Sequence, residues 1–325
     1  MARNEDIGSP PPDRPLVSVI VPTHNGEAYL EEALRSALDG TVRDIEIIVV
    51  DDGSTDSTAV IADRLATADA RITVIRQAHA GASAARNRAL AVARGRWAAL
   101  LDQDDVWLPT RLERQLAFLA HNPDVAVLGT HGWHIGPSGR RLGVFAAGPL
   151  SREQLARLRA RDEVIFLLAP SALMDLAVIR TLGGFRVDYR SANDVELWTR
   201  VADDHVVLAI PERLVCYRVH GGATSLRRFF EQQELLLLIE RNAGLRRAGQ
   251  LEIDLPQLRR ELRHQPFRKR LVRQRDVRCR FWYRQAGTFL AAGDARGVLW
   301  LAAAFVTAPE IVLGRFRRQL LPFIQ

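Results

Sequence analysis

Three carboxylates fall within four residues at Asp102-Gln103-Asp104-Asp105, directly after the apolar run from Trp97 to Leu101 that reads as a buried strand. Ionised carboxylates about 4 Å apart repel by about 4 kcal/mol per pair at an effective dielectric of about 20, so the cluster must be solvated, protonated or holding a cation. A hard divalent ion such as Mg²⁺ or Mn²⁺ takes oxygen ligands, commonly one or two carboxylates with phosphate and water completing the shell, and that chemistry implies a phosphorylated substrate. Alone, an Asp-x-Asp is weak, because acidic turns are common.

The elements around the cluster raise its weight. Leu16 to Val21 reads as a strand that ends at Pro22-Thr23-His24-Asn25-Gly26, with a helical pattern from about Glu27 to Leu38. Ile45 to Val50 is nearly all β-branched, which suits a strand buried on both faces of a parallel sheet, and it ends at a second acidic turn, Asp51-Asp52-Gly53-Ser54-Thr55-Asp56. A helix over Ser57 to Ala66, a strand over Ile72 to Ile75 and a helix over Ser83 to Ala93 follow before the strand that feeds the acidic cluster. Such alternation predicts an α/β fold with a Rossmann-like, doubly wound, mostly parallel sheet, whose ligands bind beyond the carboxyl ends of the strands. Both acidic turns then face one crevice.

These residues carry a resemblance. Pro22-Thr23-His24-Asn25, Val49-Val50-Asp51-Asp52-Gly53-Ser54-Thr55-Asp56, Gly81-Ala82-Ser83-Ala84-Ala85-Arg86-Asn87 and Leu101-Asp102-Gln103-Asp104-Asp105 resemble, in order, the motifs of family 2 glycosyltransferases with the GT-A fold. Leu182-Gly183-Gly184-Phe185, Asn193-Asp194-Val195-Glu196-Leu197-Trp198 and Tyr217-Arg218-Val219-His220 continue the order, so the likeness covers about residues 16–225.

The resemblance implies an inverting, metal-dependent transfer of a sugar from a nucleotide-sugar donor, a UDP-sugar first among them, to a hydroxyl of a saccharide or lipid-linked acceptor. It assigns Asp52 to the donor's nucleobase, with Thr23 and His24 in the turn facing that base. An aromatic residue often stands at the position of His24 in similar enzymes. Arg86, by default a solvated helix charge, becomes a nucleotide or phosphate contact, since a planar guanidinium suits phosphate oxygens. Asp102 and Asp104 form the Asp-x-Asp pair that holds Mg²⁺ or Mn²⁺ against the diphosphate. Asp104 is its direct ligand, Asp105 the rival, and His220 a further ligand or a pyrophosphate contact. Asp194, which a purely local reading makes a helix cap, becomes the base that removes the acceptor proton. The family pattern has Glu-Asp where this chain has Asn193-Asp194, so one carboxylate remains. His131 and His134 read as part of an ordinary Gly-rich loop with no metal role.

Composition bounds the alternatives. The chain has 325 residues and only two cysteines, Cys216 and Cys279, which make no disulfide framework and fit a reducing cytoplasm. Residues 1–15 are polar and Pro-rich and read as a disordered leader without a signal peptide, residues 16–225 as the catalytic domain, and residues 226–325 as a basic, helical C-terminal extension. That last segment carries a net charge of +11 against −4 for the rest. Its apolar stretch from Val298 to Leu313, flanked by Arg296, Arg315, Arg317 and Arg318, is interrupted by Pro309 and Glu310, too compromised for a transmembrane helix. It fits either a segment lying peripherally on an anionic membrane face or an appendage packed on the catalytic domain with solvated arginines. A nucleotidyltransferase on a related sheet is the rival enzyme, but it calls for a Gly-rich, basic loop after the first strand, and residues 22–26 hold no Lys or Arg. Nucleic-acid binding through the tail leaves the ordered motifs without a role, so no nucleic-acid partner is expected.

Overall fold

The structure is a computed structural model that describes residues 14–221, 228–291 and 293–320, the last six by their backbone only. Strands and helices alternate through the first hundred residues: β1 (Val17–Thr23), α1 (Leu30–Leu38), β2 (Ile45–Asp52), α2 (Thr58–Ala68), β3 (Ile72–Gln77), α3 (Ala82–Val92) and β4 (Trp97–Leu100). The four strands are parallel in the order β3-β2-β1-β4. Val19 lies opposite Ile47 on one side and Ala99 on the other. Ile47, Ile48, Val49 and Val50 are buried together, as a strand covered on both faces requires.

After β4 come β5 (Val106–Trp107), α4 (Arg111–His121), β6 (Val125–Ile135), β7 (Arg141–Phe145), α5 (Arg152–Ala160), a 3₁₀ turn (Ala169–Ser171), β8 (Leu173–Asp175), α6 (Leu176–Thr181), α7 (Asn193–Asp204) and β9 (Val206–Arg218). The sheet continues past β4 as β8-β6-β9-β5, with β7 beside β6. Here the pairing turns antiparallel, β8 running against both β4 and β6 and β5 against β9. The result is the expected α/β sheet, with a parallel half, β3-β2-β1-β4, and antiparallel pairs beyond β4.

His131 and His134 lie on β6, not in a loop. The glycine between them marks close strand packing: a Cβ on Gly132 would meet Val215 at 2.7 Å. Burial, with Arg284 nearby, pushes the His134 imidazole down to about 4, so it is neutral at pH 7.

The chain divides into two compact units. One holds the residues up to Gly132 with Ala146–Ala156 and Ile165–Cys216; the other holds Trp133–Phe145, Arg157–Val164 and the chain from Tyr217 onward. The second unit is thus built by sequence-distant pieces as well as by the tail.

In the second unit, α8 (Phe229–Arg247), α9 (Leu255–His264), α10 (Phe267–Ala291), α11 (Arg296–Thr307) and α12 (Pro309–Leu320) follow one another. Asp254 and Gln257 form a reciprocal capping box that starts α9. Cys279, Ala304, Ala308 and Val312 are fully buried in one cluster, so the apolar stretch of residues 298–313 packs one face on α10. A Cβ on Gly297 would meet Leu290 at 2.5 Å, which shows how closely α11 approaches α10. Arg296 pairs with Asp294, while the side chains of Arg315, Arg317 and Arg318 lie outside the described residues. Among the described residues no helix is long and apolar enough to cross a membrane. Cys216 and Cys279 are both buried, unbridged thiols.

Candidate active site

Parallel pairing brings the ends of β1 and β4 side by side, with the Leu101 amide donating to the Ile20 carbonyl at 3.1 Å. The turns that follow are joined by Gln103. Its Oε1 accepts from the Thr23 hydroxyl at 2.6 Å and from the His24 amide at 2.8 Å, and its Nε2 donates to the His24 carbonyl at 3.2 Å. Thr23 is buried and holds this clamp, whereas His24 is half-buried and reaches the surface. Gly26 makes room for the clamp, since a Cβ there would stand 2.4 Å from Gln103 Oε1 and 2.9 Å from Thr23 Oγ1. A free glutamine tip could swing away, but this one is held by three hydrogen bonds. Gly26→Ala is therefore expected to cost about 1 to 3 kcal/mol and to weaken donor binding, as overpacking at a fixed site does. Thermal unfolding and donor titration check it, and a variant that matches the parent in both removes the clamp's importance.

At the end of β2 the two aspartates divide the work. Asp51 accepts from the Ser54 amide at 3.1 Å and so supplies the Asx turn. Asp52 is buried and turned toward the loop before α3: Oδ1 accepts from Gln77 Nε2 at 2.7 Å and the Ala80 amide at 2.8 Å, and Oδ2 from the Gly81 amide at 2.8 Å, with His79 Nδ1 standing 2.9 Å from Oδ2 as an ion-pair partner when protonated. Burial pushes its carboxyl up, but Gln77 and the two amides outweigh burial and hold it below the ordinary aspartate value. Asp52 thereby fixes the shape of the loop. A nucleobase that hydrogen-bonds this carboxylate must share or displace a donor, and His79, whose side chain is 60% exposed, is the movable one. The imidazoles of His24 and His79 lie with centroids 4.2 Å apart and planes tilted by 33°, and Nδ1 of each is within 3.1 Å of the Asp52 carbonyl oxygen.

A second network joins α3 to α7. Arg86 is buried; its Nη2 donates to Asp102 Oδ1 at 2.7 Å and its Nη1 to Asn193 Oδ1 at 2.8 Å, and Asn193 Nδ2 donates to Ser83 Oγ at 2.8 Å. The guanidinium expected on a phosphate thus also holds the first carboxylate of the acidic turn. Asp194, the second residue of α7, is half-buried. Burial raises its carboxyl above the ordinary value, the Arg86 charge and the Val195 amide oppose that, and the Asp102 charge adds to it. One guanidinium therefore stabilises both Asp102 and Asp194. The helix opens after Ala192, a left-handed residue at φ 55° with no side-chain cap, so Asp194 is not the N-cap. Glu196 and Arg200 form a buried pair at 2.8 Å, and Arg200 also donates to the carbonyls of Leu182 and Gly184. Asn87 exchanges two hydrogen bonds with the Phe185 backbone, at 2.7 and 2.8 Å. The Gly-Gly-Phe segment is thus held from both helices.

In the acidic turn Asp104 is half-exposed and Asp105 is 1% exposed. His220 belongs to the second unit. Among the described residues no three His, Cys, Asp or Glu side chains are grouped to hold a metal ion, so Asp104, Asp105 and His220 do not stand as a preassembled set. Sequence alone marks neither Gln103 nor His79 as a site residue. The signal for Gln103 was its place inside the acidic motif; nothing local marked His79.

The comparisons agree with this architecture. Residues 18–181 match the model of glycosyl transferase family 2, and the chain belongs to that family. It is a glycosyltransferase with the GT-A fold. It is 30% identical, over 68% of its length and 77% of the relative's, to an uncharacterised glycosyltransferase of Methanocaldococcus jannaschii. It is also 30% identical, over 66% of its length and 82% of the relative's, to the UDP-Glc:alpha-D-GlcNAc-diphosphoundecaprenol beta-1,3-glucosyltransferase WfaP of Escherichia coli. A mannosyltransferase of Pyrobaculum calidifontis, solved with GDP-Man and Mn²⁺, shares the fold with a TM-score of 0.57 at 20% identity, over 95% of this chain and 85% of that one.

Proposed function

We propose that this chain is an inverting, metal-dependent glycosyltransferase that moves a sugar from a UDP-sugar to a hydroxyl of a saccharide or lipid-linked acceptor, on the cytoplasmic side of a bacterial membrane, in building a surface polysaccharide or glycolipid. The observation that carries it is the guanidinium of Arg86 shared between Asp102, on the acidic turn, and the raised carboxyl of Asp194. The similarity to the diphosphoundecaprenol-directed glucosyltransferase supports the donor and the acceptor class.

In this reading Asp194 takes the proton of the acceptor hydroxyl as that oxygen attacks the anomeric carbon. The bond to the nucleoside diphosphate breaks on the opposite face of the sugar, and the configuration inverts. A carboxyl held above its ordinary value is a stronger base for that proton than an exposed aspartate. Arg86 acts as a positioning residue, fixing Asp102 and through Asn193 the start of α7. His24 and His79 offer imidazole faces to the base, and Asp52 orders the loop beneath them.

The donor set of the acidic turn fits Mg²⁺ or Mn²⁺: a half-exposed Asp104 beside Asp102 and Asp105 supplies one or two carboxylates, and diphosphate and water supply the rest. Asp104 is the principal ligand in this reading and Asp105 or His220 the alternates. Bound there, the ion neutralises charge on the leaving diphosphate as a Lewis acid.

A screen of UDP-, GDP- and dTDP-sugars, read by thermal stabilisation and by slow donor hydrolysis, tests the donor. One UDP-sugar is expected to raise Tm and to be hydrolysed, with the released sugar inverted by NMR. Retention of configuration, or no response to any nucleotide sugar, rejects the proposal.

A further inference from the structure

The arginines of the second unit are not uniformly solvated. Arg241 pairs with Glu261, Arg246 with Glu252, Arg247 with Asp162, Arg259 with Glu234, Arg275 with Glu310 and Arg296 with Asp294. At the corner between α9 and α10 a run of cations lacks such pairs. Arg260, Arg263, Arg268, Lys269 and Arg270 have no acidic partner among the described residues, and all but the half-buried Arg270 are exposed. At the same corner Phe267 is 73% exposed and Leu271 54% exposed.

The helical period sorts these side chains. At about 100° per residue Phe267 and Leu271 share one face of the first turns of α10, with Arg268 to one side and Arg270 to the other. A corner built only for solubility has no use for a phenylalanine this exposed between cations. Two exposed apolar side chains flanked by Arg268 and Arg270 match a surface that is anionic at its face and apolar just beneath.

We propose that the α9–α10 corner is a membrane-docking site, in which Phe267 and Leu271 enter the interface of an anionic bilayer while the flanking Arg268 and Arg270 meet its headgroup phosphates. The site does not depend on the donor or acceptor assigned above. It uses other side chains than the apolar stretch of residues 298–313, one face of which is consumed by packing on α10. A nucleic acid would be held by the cations with no need of the two apolar side chains.

Co-sedimentation of the full chain with vesicles tests it, using phosphatidylcholine alone and phosphatidylcholine with one quarter phosphatidylglycerol. The chain is expected to prefer the anionic vesicles, and raising salt from 0.1 to 1 M, which shortens the Debye length from about 10 to about 3 Å, to weaken but not abolish binding. Arg268→Gln with Arg270→Gln is expected to lower anionic-vesicle affinity by about tenfold or more. Phe267→Ser with Leu271→Ser is expected to remove the salt-resistant part. Arg296→Gln, which loses only a paired charge, should bind as the parent does, and an unchanged melting curve shows that each variant is folded.

Equal sedimentation with both vesicles, or an Arg268→Gln with Arg270→Gln variant that binds like the parent, overturns the proposal. So does a complex with polyuridylate that displaces the chain from vesicles and is indifferent to the Phe267 and Leu271 changes. A dimer in solution that those two changes abolish would assign the patch to a second copy instead.

Discussion

Asp194→Asn is expected to lower kcat by about 10² to 10⁴, the usual worth of a general base, while leaving the donor Kd nearly unchanged. Asparagine has almost the same shape and keeps the polar contact at the start of α7, so a purely structural role predicts little change in rate. The pH dependence sharpens the test. Only the ionised carboxylate can take a proton, and burial raises this carboxyl, so the acid limb of kcat in the parent should lie at higher pH than an ordinary aspartate gives. The stability sign runs the other way. A carboxyl raised on folding binds its proton more tightly in the folded chain, so its contribution to stability is full in acid and is lost as pH rises through the folded value. Asp194→Asn should therefore raise Tm at neutral pH while it removes activity. A variant that keeps the parent kcat, or that melts lower at neutral pH, argues against a strained catalytic base at this position.

Chelation is expected to have the other large effect. With EDTA present turnover should stop, and Mg²⁺ or Mn²⁺ in excess should restore it. Asp104→Ala should lose donor affinity most, because Asp104 is half-exposed in the acidic turn while Asp102 has one oxygen committed to Arg86. Asp105→Ala, at a buried position, should cost stability as well as binding, so the two variants are separable by melting temperature. Full activity in chelator, with an Asp104→Ala variant that binds donor normally, would remove the ion from the mechanism and leave the acidic turn to position the diphosphate by its backbone alone.

Local pattern determined a good part of this protein. The strand-helix alternation of the first hundred residues was legible because strands buried on both faces must be continuous apolar runs, and Ile45 to Val50 and Trp97 to Leu101 are such runs. The acidic turns were legible for the same reason: a run ending in Asp marks where a buried strand meets solvent. The order of the motifs carried the family.

What remained was decided by pairing across long separations. Nothing near Leu173 announces that it lies antiparallel to Ala99 and Leu128, because strand direction is set by which edge is open and not by the strand's own residues. By local pattern Gly132 suggests a turn and puts His131 and His134 in a loop, whereas it is a site where two strands come too close for a side chain. The partners of Arg86 and Asp52 within the chain were hidden for a related reason. A charged side chain read on its own is assumed to face water or ligand, but Arg86 meets Asp102 and Asn193, sixteen and 107 residues away, and Asp52 meets the loop of residues 77–81. Residue type determines what a group can bind; only the tertiary structure decides which partner reaches it first, since desolvating a charge is tolerable only where the fold supplies the compensating hydrogen bonds.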